Sequence, residues 1–287
     1  MSSLNVFVAG PSSWNTLIYL AELPEPTPHT VFADNAYETF GGTSLGKSLN
    51  LRDLGCAVTL STQFGSDSAG LRISRVLEAE SITVINPQGS STERHANLMT
   101  RHGERLSIYM NAPSAGDGSR DLEIMRAMEE SDVLVMDLSS ESARLLPLAI
   151  STGKPIWTDI HDYDGTSQFH QPFIDAAPVI FMNADGLPDP IPFMHSMIGR
   201  GKELVVCTLG SDGAVAATRE GVVEVPAAPV SVIDTNGAGD AFMSGALTRI
   251  LAGANIREAL EFAALHTHGA LTSRHLHPSA EAFTAEA

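Results

Sequence analysis

One short run near the C-terminal end of the chain carries the residue types best suited to chemistry, Asp234-Thr235-Asn236-Gly237-Ala238-Gly239-Asp240. Gly237 and Gly239 permit a tight turn and leave backbone amides unshielded, so these amides are able to bind an anion. A helix predicted to begin near Asp240 adds unpaired N–H groups and the positive end of its dipole. This arrangement suits the negative charge that develops on a transferring phosphoryl group, and a carboxylate beside it suits removal of a proton from an attacking hydroxyl. The structural alternative is a capped helix after an Asn-Gly turn.

The elements that must position this run alternate along the chain. Short, continuously apolar runs are typical of strands buried on both faces of a mostly parallel sheet, and apolar residues at helical spacing lie between them. The alternation predicts an α/β fold with a doubly wound, mostly parallel sheet. The predicted strands are residues 6–9, 58–61, 82–85, 133–137, 156–159, 179–182, 204–209 and 230–233, and the predicted helices are 45–54, 71–79, 121–130, 142–150 and 241–251.

Two regions, residues 30–40 and 94–110, alternate apolar and polar positions instead. Such alternation is typical of antiparallel strands with one wet face, and Arg101-His102-Gly103-Glu104 suits the turn of a hairpin. We therefore expect one domain over residues 1–287, with a small β-sheet lid formed from about 12–40 and 92–112. A further hairpin is predicted from residues 214–218 and 222–225.

The composition excludes some classes of partner. A formal net charge of -17 argues against a nucleic-acid surface, because phosphate binding there depends on Lys and Arg. No run approaches the roughly 20 apolar residues that a membrane span needs. The two cysteines are predicted to be reduced, and the N-terminal residues lack a basic region before an apolar stretch. These features predict a cytoplasmic protein without nucleic-acid or membrane partners.

The whole glycine-rich run resembles the Asp-Thr-x-Gly-Ala-Gly-Asp signature of the ribokinase-like (PfkB) carbohydrate kinase family. Gly41-Gly42, followed by a helix ending at Leu54-Gly55, is similar to the family's N-terminal signature. Residues 63–70 resemble its Gly-x-Asp-x-x-Gly turn, and residues 208–214 resemble its nucleotide-side Thr-x-Gly-x-x-Gly. These matches occur in the family's order and cover most of the chain.

The resemblance implies an ATP-dependent kinase that phosphorylates a hydroxyl of a sugar, with a nucleoside as the alternative acceptor. It implies Asp240 as the base and the amides of Gly237, Ala238 and Gly239 as the anion hole. Mg²⁺ is the expected metal cofactor, a monovalent cation stays open, and an exposed lid edge favours a homodimer. The implied substrate-binding residues are Asn15, Gly41, Gly42 and Asp240, and the implied nucleotide-binding residues are Thr208, Gly210, Gly213, Asn183, Asp234 and Thr235.

The chain departs from the family pattern at three places. Asn15 stands where the family commonly has an Asp after the first strand, and an amide is a weaker acceptor than a carboxylate. Gly46 replaces an Asn that follows the two glycines. The family's Asn-x-x-Glu is half present in Asn183-Ala184-Asp185-Gly186, which makes Asp185 the candidate metal ligand in place of the Glu.

A different class of enzyme also matches part of the chain. Residues 41–48 satisfy Gly-x4-Gly-Lys-Ser, the P-loop pattern, with Lys47 as its lysine and Asp137 at the end of an apolar run as a Mg²⁺ ligand. However, a P-loop follows a buried parallel strand, and residues 33–39 are polar and alternating. On the kinase interpretation Lys47 is a helix residue without a role toward ATP. A third hypothesis is a kinase-fold sensor that binds a metabolite without catalysis, although a pure binder does not need Asp240.

Overall fold

The computed structural model of the chain describes residues 3–87, 91–100 and 104–284. Thirteen strands and ten α-helices alternate along the described chain. The strands are β1 Asn5–Ala9, β2 Ser13–Leu20, β3 Asn35–Gly41, β4 Ala57–Ser61, β5 Thr83–Ile85, β6 Glu93–Thr100, β7 Arg105–Asn111, β8 Val133–Met136, β9 Ile156–Asp159, β10 Val179–Asn183, β11 Leu204–Thr208, β12 Ala214–Thr218 and β13 Gly221–Val225. The helices are α1 Thr43–Asp53, α2 Ser68–Ala79, α3 Asp121–Glu130, α4 Ser140–Ser151, α5 Gln171–Ala176, α6 Ile191–Gly199, α7 Ala238–Leu251, α8 Ile256–His266, α9 His268–Leu271 and α10 Glu281–Thr284.

The larger sheet has nine strands in the order β13-β12-β11-β10-β9-β8-β1-β4-β5. The pairs from β5 to β11 are parallel, and β12 and β13 extend the sheet as an antiparallel hairpin. The chain passes from β1 to β4 on one side and later to β8 on the other, so the strand order reverses at β1. In open α/β sheets, ligands bind outside the carboxyl ends of the strands at such a reversal.

Helices cover both faces of this sheet. Successive side chains of each strand point to opposite faces, so each strand contributes to two cores. Val8 of β1 packs in one core with Leu49 of α1. Phe7, the preceding residue, packs in the other core with Leu145 of α4. Burial on both faces explains why the central strands are continuously apolar.

The smaller sheet has four strands in the order β3-β2-β6-β7. Only the β2–β6 pair is parallel. One face buries Trp14 and Phe40 in the core, where Arg72 of α2 lies 5.1 Å from the Trp14 ring. The register places Asn15, His95 and Tyr109 side by side on the opposite face. This sheet therefore presents a polar and aromatic face next to the larger sheet.

The predicted α/β fold with a doubly wound parallel sheet and a small second sheet is confirmed. The predicted strand at residues 230–233 is wrong: the segment has no strand partner, and Val232 and Ile233 are more than half exposed. Pro226 and Pro229 precede it, and a proline has no N–H to donate to a sheet. Arg101, His102 and Gly103 of the predicted turn at residues 101–104 lie outside the described residues. No helix in the described part of the chain is long and apolar enough to cross a membrane.

Candidate active site

Asp240 lies in the first turn of α7, directly after the glycine-rich turn, and its side chain is buried. Gly237 precedes the helix with a φ of 80°, in the left-handed region that favours glycine. A Cβ at Gly237 would lie 2.2 Å from the carbonyl oxygen of Leu276, so the neighbouring backbone also requires a glycine. The local sequence thus fixes the direction in which α7, and with it Asp240, leaves the turn.

The backbone amides of this turn differ as candidate hydrogen-bond donors to an anion. The Ala238 amide donates to the Thr235 carbonyl at 3.2 Å. Gly239 and Asp240 follow in the first turn of the helix, where amides have no partner four residues earlier within the helix. A Cβ at Gly239 would meet nothing within 4 Å, so the space beside this residue is open to a ligand.

The Asp240 carboxylate belongs to a buried cluster around Lys47 of α1. The Lys47 ammonium donates to Asp240 Oδ1 at 2.9 Å and to Asp159 Oδ2 at 3.1 Å, and it lies 3.2 Å from Asp137 Oδ1. Asp137 follows β8 and Asp159 ends β9, so both carboxylates come from the carboxyl edge of the larger sheet. Ser44 donates to the other Asp137 oxygen at 2.8 Å.

The cluster shifts the titration of its members in different directions. Burial raises the pKa of Asp240 to about 7, although Lys47 lowers it. Burial also opposes the ionisation of Asp159, but Lys47 and His161 hold the pKa of this carboxyl below its usual value. Burial alone would lower the pKa of Lys47, and the three carboxylates raise it well above its usual value. Asp240 is therefore a carboxylate that titrates near neutral pH.

Gly46 is explained by the same cluster. A Cβ at this position would lie 2.5 Å from Asp240 Oδ2 and 3.0 Å from Asp240 Cγ. The Asn of the family pattern therefore has no room here while Asp240 keeps its position. Glycine at position 46 permits the close approach of α1 and α7.

The predicted substrate residues Asn15, Gly41 and Gly42 lie together next to α1. Asn15 is 4% exposed, and its Oδ1 has no hydrogen-bond partner among the described residues. A Cβ at Gly41 would lie 2.1 Å from Asn15 Nδ2, and one at Gly42 would lie 2.4 Å from the Pro11 carbonyl oxygen. Asn15 thus brings an unsatisfied buried acceptor to this part of the cleft.

The smaller sheet contacts the carboxyl edge of the larger one. Arg105 of β7 lies 3.6 Å from Asp162, which follows β9. On the same face His95 is within hydrogen-bond distance of Glu93, at 2.9 Å, and packs against the Tyr109 ring at a centroid distance of 3.9 Å. An aromatic surface beside polar groups suits a ligand with apolar C–H faces and hydroxyl groups.

The predicted nucleotide residues lie at the next strand ends. Asn183 ends β10 and pairs in register with Thr208, which ends β11. The side-chain amide of Asn183 donates to the Asp185 carboxylate at 3.0 Å and to the Asp162 carboxylate at 3.2 Å. Gly210 begins the turn after β11 and has no atom within 4 Å of a built Cβ, whereas a Cβ at Gly213 would lie 2.1 Å from the Val225 carbonyl oxygen.

The remaining two predicted nucleotide residues contact other parts of the fold. Asp234 is buried and accepts hydrogen bonds from the Asn236 amide at 2.7 Å and from the hydroxyl of Tyr19 in the smaller sheet. Thr235 is exposed, and its carbonyl oxygen accepts the Ala238 amide. Asp234 therefore ties the glycine-rich turn to β2.

The P-loop interpretation of residues 41–48 is wrong. The strand before Gly41 is β3, which pairs antiparallel with β2 in the smaller sheet and is not a buried parallel strand. The Lys47 ammonium is enclosed by three carboxylates and 1% exposed, whereas a P-loop lysine must reach the phosphates of a nucleotide.

Sequence reasoning missed Lys47, Asp137 and Asp159 as one cluster. The signal was available in part: Asp137 and Asp159 both follow apolar runs, and the carboxyl ends of parallel strands meet at one edge of the sheet. Nothing in the pattern shows that a helix lysine points to the same edge.

Comparisons with known proteins show that this chain is similar to carbohydrate kinases. Residues 181–275 match the model of the pfkB family carbohydrate kinases. The chain is 29% identical over 283 residues to the acarbose 7(IV)-phosphotransferase of an Actinoplanes species, covering 91% of this chain and 90% of the relative. It is 24% identical to the ATP-dependent ribose-1-phosphate kinase of Halopiger xanaduensis, covering 94% and 92%. The solved structure of a microbiome-derived acarbose kinase superposes with a TM-score of 0.82 at 26% identity, covering 99% of this chain and all of the other.

The doubly wound sheet, the small second sheet and the buried carboxylate at the glycine-rich helix start define a ribokinase-like small-molecule kinase. The chain resembles the PfkB family of carbohydrate kinases, through the family match of residues 181–275 and through relatives that are similar over more than 90% of its length.

Proposed function

We propose that the chain transfers the γ-phosphoryl group of ATP to a hydroxyl of a sugar, with Asp240 as the general base. The observation that carries this proposal is the burial of one carboxylate beside the open, amide-rich start of α7. Positioning and electrostatic stabilisation supply most of the catalysis in phosphoryl transfer, and this arrangement offers both.

The proton transfer follows from the arrangement of Asp240. Lys47 donates to Oδ1, which leaves Oδ2 as the oxygen that receives the proton of the acceptor hydroxyl. The acceptor oxygen then forms its bond to the γ-phosphorus while the bond to the β-phosphate oxygen breaks and ADP leaves. A base with a pKa of about 7 is partly ionised at neutral pH and able to hold the proton afterwards.

The amides of residues 237–239 are proposed to face the transferring phosphoryl group, with Gly239 nearest to the open space. The nucleotide is proposed to lie along Thr208, Gly210 and Gly213 after β11, with Asn183 at the adjacent strand end. Asp234 and Thr235 would then fix the turn that separates the nucleotide from the acceptor.

Mg²⁺ is the proposed metal, supplied with ATP. Among the described residues there is no group of three or more His, Cys, Asp or Glu side chains arranged to hold a metal ion. Mg²⁺ commonly keeps several waters and needs one or two carboxylates besides the phosphates. The Asp162 and Asp185 carboxylates, both in contact with Asn183, fit that requirement, and the metal would neutralise phosphate charge there. A monovalent cation stays an open addition that titration with K⁺ and Na⁺ salts tests.

The acceptor is proposed to be a sugar without a phosphate group. Among the described residues, Lys47 and Arg105 are paired with aspartates at or after the ends of β8 and β9, so neither is free to bind a second phosphate. An acceptor with hydroxyl groups would satisfy Asn15 Oδ1 and pack on the His95–Tyr109 surface. A nucleoside is the alternative acceptor, because its base would also pack on that surface.

We propose that residues 1–287 form one kinase domain in which β2, β3, β6 and β7 act as a lid. Closure over the acceptor would exclude water and so limit hydrolysis of ATP. The Arg105–Asp162 contact supports a lid that meets the main sheet beside the active site.

A homodimer through the lid is proposed from the outer edge of β7. This strand ends the sheet order, and Leu106, Ile108 and Met110 on it are each about half exposed. An apolar edge strand is prone to pair with another strand. Sedimentation of Ile108→Glu tests this: a dimer should become a monomer, whereas Leu122→Glu on exposed α3 should not change the mass. A monomeric parent protein would refute the proposal.

A reducing cytoplasm is the proposed location. Cys56 and Cys207 are both free and buried. Burial raises the pKa of the Cys56 thiol to about 11 and that of Cys207 to about 12, so both thiols resist oxidation.

The proposed function is tested by ADP formation from Mg·ATP with a panel of unphosphorylated sugars, oligosaccharides, sugar phosphates and nucleosides. One unphosphorylated acceptor should stimulate turnover, and Asp240→Asn should reduce kcat by about 100-fold or more. Asp132→Asn is the matched control, since Asp132 binds the Asn5 amide at the opposite edge of the sheet. An Asp240→Asn variant with full activity would refute the role of the base. Thermal stabilisation by a sugar without any ADP formation would favour the sensor hypothesis.

A further inference from the structure

Lys47 is an almost completely enclosed charged side chain of the active site, with 1% of its surface exposed. It leaves α1 directly after Gly46 and reaches carboxylates from three other elements, at 2.9–3.2 Å. Burial of a charge is unfavourable unless partners compensate for it. A long side chain held between three acidic groups therefore indicates a function in organising them.

The charges around this ammonium are unbalanced. Asp137 faces it from the end of β8, Asp159 from the end of β9 and Asp240 from α7. His161, which is 4.0 Å from Asp159 Oδ1, is the next titratable group. When all three carboxylates are ionised, a single ammonium neutralises only one of them. The carboxylates then compete for the same positive charge, and burial favours the neutral form of Asp240.

We propose that Lys47 is a positioning residue that keeps the Asp240 carboxylate ionised and fixes which of its two oxygens faces the acceptor. The inference rests on the proposed role of Asp240 as the base and adds a residue that the family pattern did not assign. Asp137 and Asp159 act on Asp240 indirectly, because they hold the Lys47 ammonium against it. Ser44 in turn holds Asp137.

Two opposite changes follow for the pH profile of kcat/KM. Lys47→Met removes the positive charge that contacts Asp240, so the acid limb should move up by about one pH unit or more, with activity recovering at high pH. Asp159→Asn removes a competing carboxylate and keeps one oxygen, which accepts from either Lys47 or the His161 backbone N–H, bonds that Asp159 accepts with different oxygens. Its acid limb should therefore move down by about half a unit or more. Lys47→Arg keeps the charge and should restore part of the activity that Lys47→Met loses.

Lys202→Met is the matched control. Lys202 is also largely buried, but it precedes β11 and so lies at the amino edge of the sheet, away from Asp240. Its ammonium donates to the Asp175 carbonyl oxygen at 3.0 Å. Its loss should lower stability and leave the pH profile unchanged.

The experiment separates the inference from the proposed function. An inactive Asp240→Asn together with a folded Lys47→Met of unchanged pH profile would overturn the inference alone. If Lys47→Met fails to fold, an acid limb of Asp159→Asn that stays in place or moves up overturns it, and a downward shift supports it. Full activity of Asp240→Asn would overturn the proposed function and this inference with it.

Discussion

Gly46 of α1 and Asp240 of α7 are in such close contact that a Cβ on Gly46 would lie 2.5 Å from Asp240 Oδ2. The other Asp240 oxygen is held by Lys47 at 2.9 Å, so the carboxylate has no easy way to retreat. In Gly46→Ala we expect Asp240 to shift and kcat to fall by about 100-fold, as misplacement of a reacting group by about 1 Å does. Steady-state ADP formation measures this loss.

Thermal unfolding separates this effect from instability. Alanine is the better helix former by about 0.5–1 kcal/mol, which offsets part of the cost of the contact with Asp240, so Gly46→Ala should stay folded although it loses activity. Gly199→Ala, at the end of α6 with no atom within 4 Å of its built Cβ, should keep both. Wild-type kcat in Gly46→Ala would show that the Asp240 oxygens are not confined in this way.

The pH dependence of the wild type follows from the burial of Asp240, which raises its pKa to about 7. A general base acts when ionised, so kcat/KM should fall as the pH drops below 7, with about one tenth of the plateau left at pH 6. An ordinary aspartate would keep its activity down to about pH 4. Initial rates between about pH 5 and pH 9 measure the limb, and an acid limb near pH 4 would contradict the assignment.

The titration of Asp240 also affects stability, and a rise in pH that increases activity lowers stability. Its folded-state pKa is raised, so its contribution to stability is present at low pH and is lost as the pH rises through about 7. Asp240→Asn removes this titration. Its free energy of unfolding should therefore fall less than that of the wild type between about pH 5 and pH 8 in urea titrations.

Asp67 joins the start of β6 to α2. It caps α2 by accepting from the Gly70 amide at 2.8 Å, and it accepts from the Thr92 amide at 3.0 Å. Burial would raise the pKa of Asp67, but these hydrogen bonds lower it below its usual value. Asp67→Ala should lower the free energy of unfolding by about 1–2 kcal/mol at neutral pH, measured by urea titration.

The lowered pKa of Asp67 also predicts how its contribution to stability depends on pH. A lowered pKa means that the stabilisation is present above about pH 4 and is lost as the pH falls further. Asp67→Asn keeps the capping oxygen and should lose less than Asp67→Ala. Equal losses in the two variants would show that the hydrogen bonds of Asp67 contribute nothing.

The order of the main elements could be predicted because the central strands are buried on both faces and the helices carry apolar residues at helical spacing. The predicted helix at residues 121–130 matches α3 Asp121–Glu130, and the predicted strand at 156–159 matches β9 Ile156–Asp159. Residues 230–233 have the same apolar character but lie without a strand partner. Local pattern cannot tell a strand from an extended segment, because pairing depends on distant residues.

The glycine-rich turn and Asp240 were found because their spacing is short and local. The Lys47 cluster was not, since its members are separated by up to 193 positions and meet only through the order of β8, β9 and the helices. Gly46 was recognised in the sequence as a departure from the family pattern. Its close contact with an Asp240 oxygen became visible only in the three-dimensional structure.

Gly237 offers the sharpest test of the turn before α7. Its φ of 80° and the Leu276 carbonyl oxygen, 2.2 Å from a built Cβ, both oppose a side chain. Gly253 has a φ of 89° but no atom within 4 Å, so Gly253→Ala measures the backbone strain alone, about 1–2 kcal/mol. Gly237→Ala should lose more stability in urea titrations, and its kcat should fall because the amides and Asp240 move together. Equal stability losses with unchanged kcat in Gly237→Ala would mean that the Leu276 contact does not hold the turn.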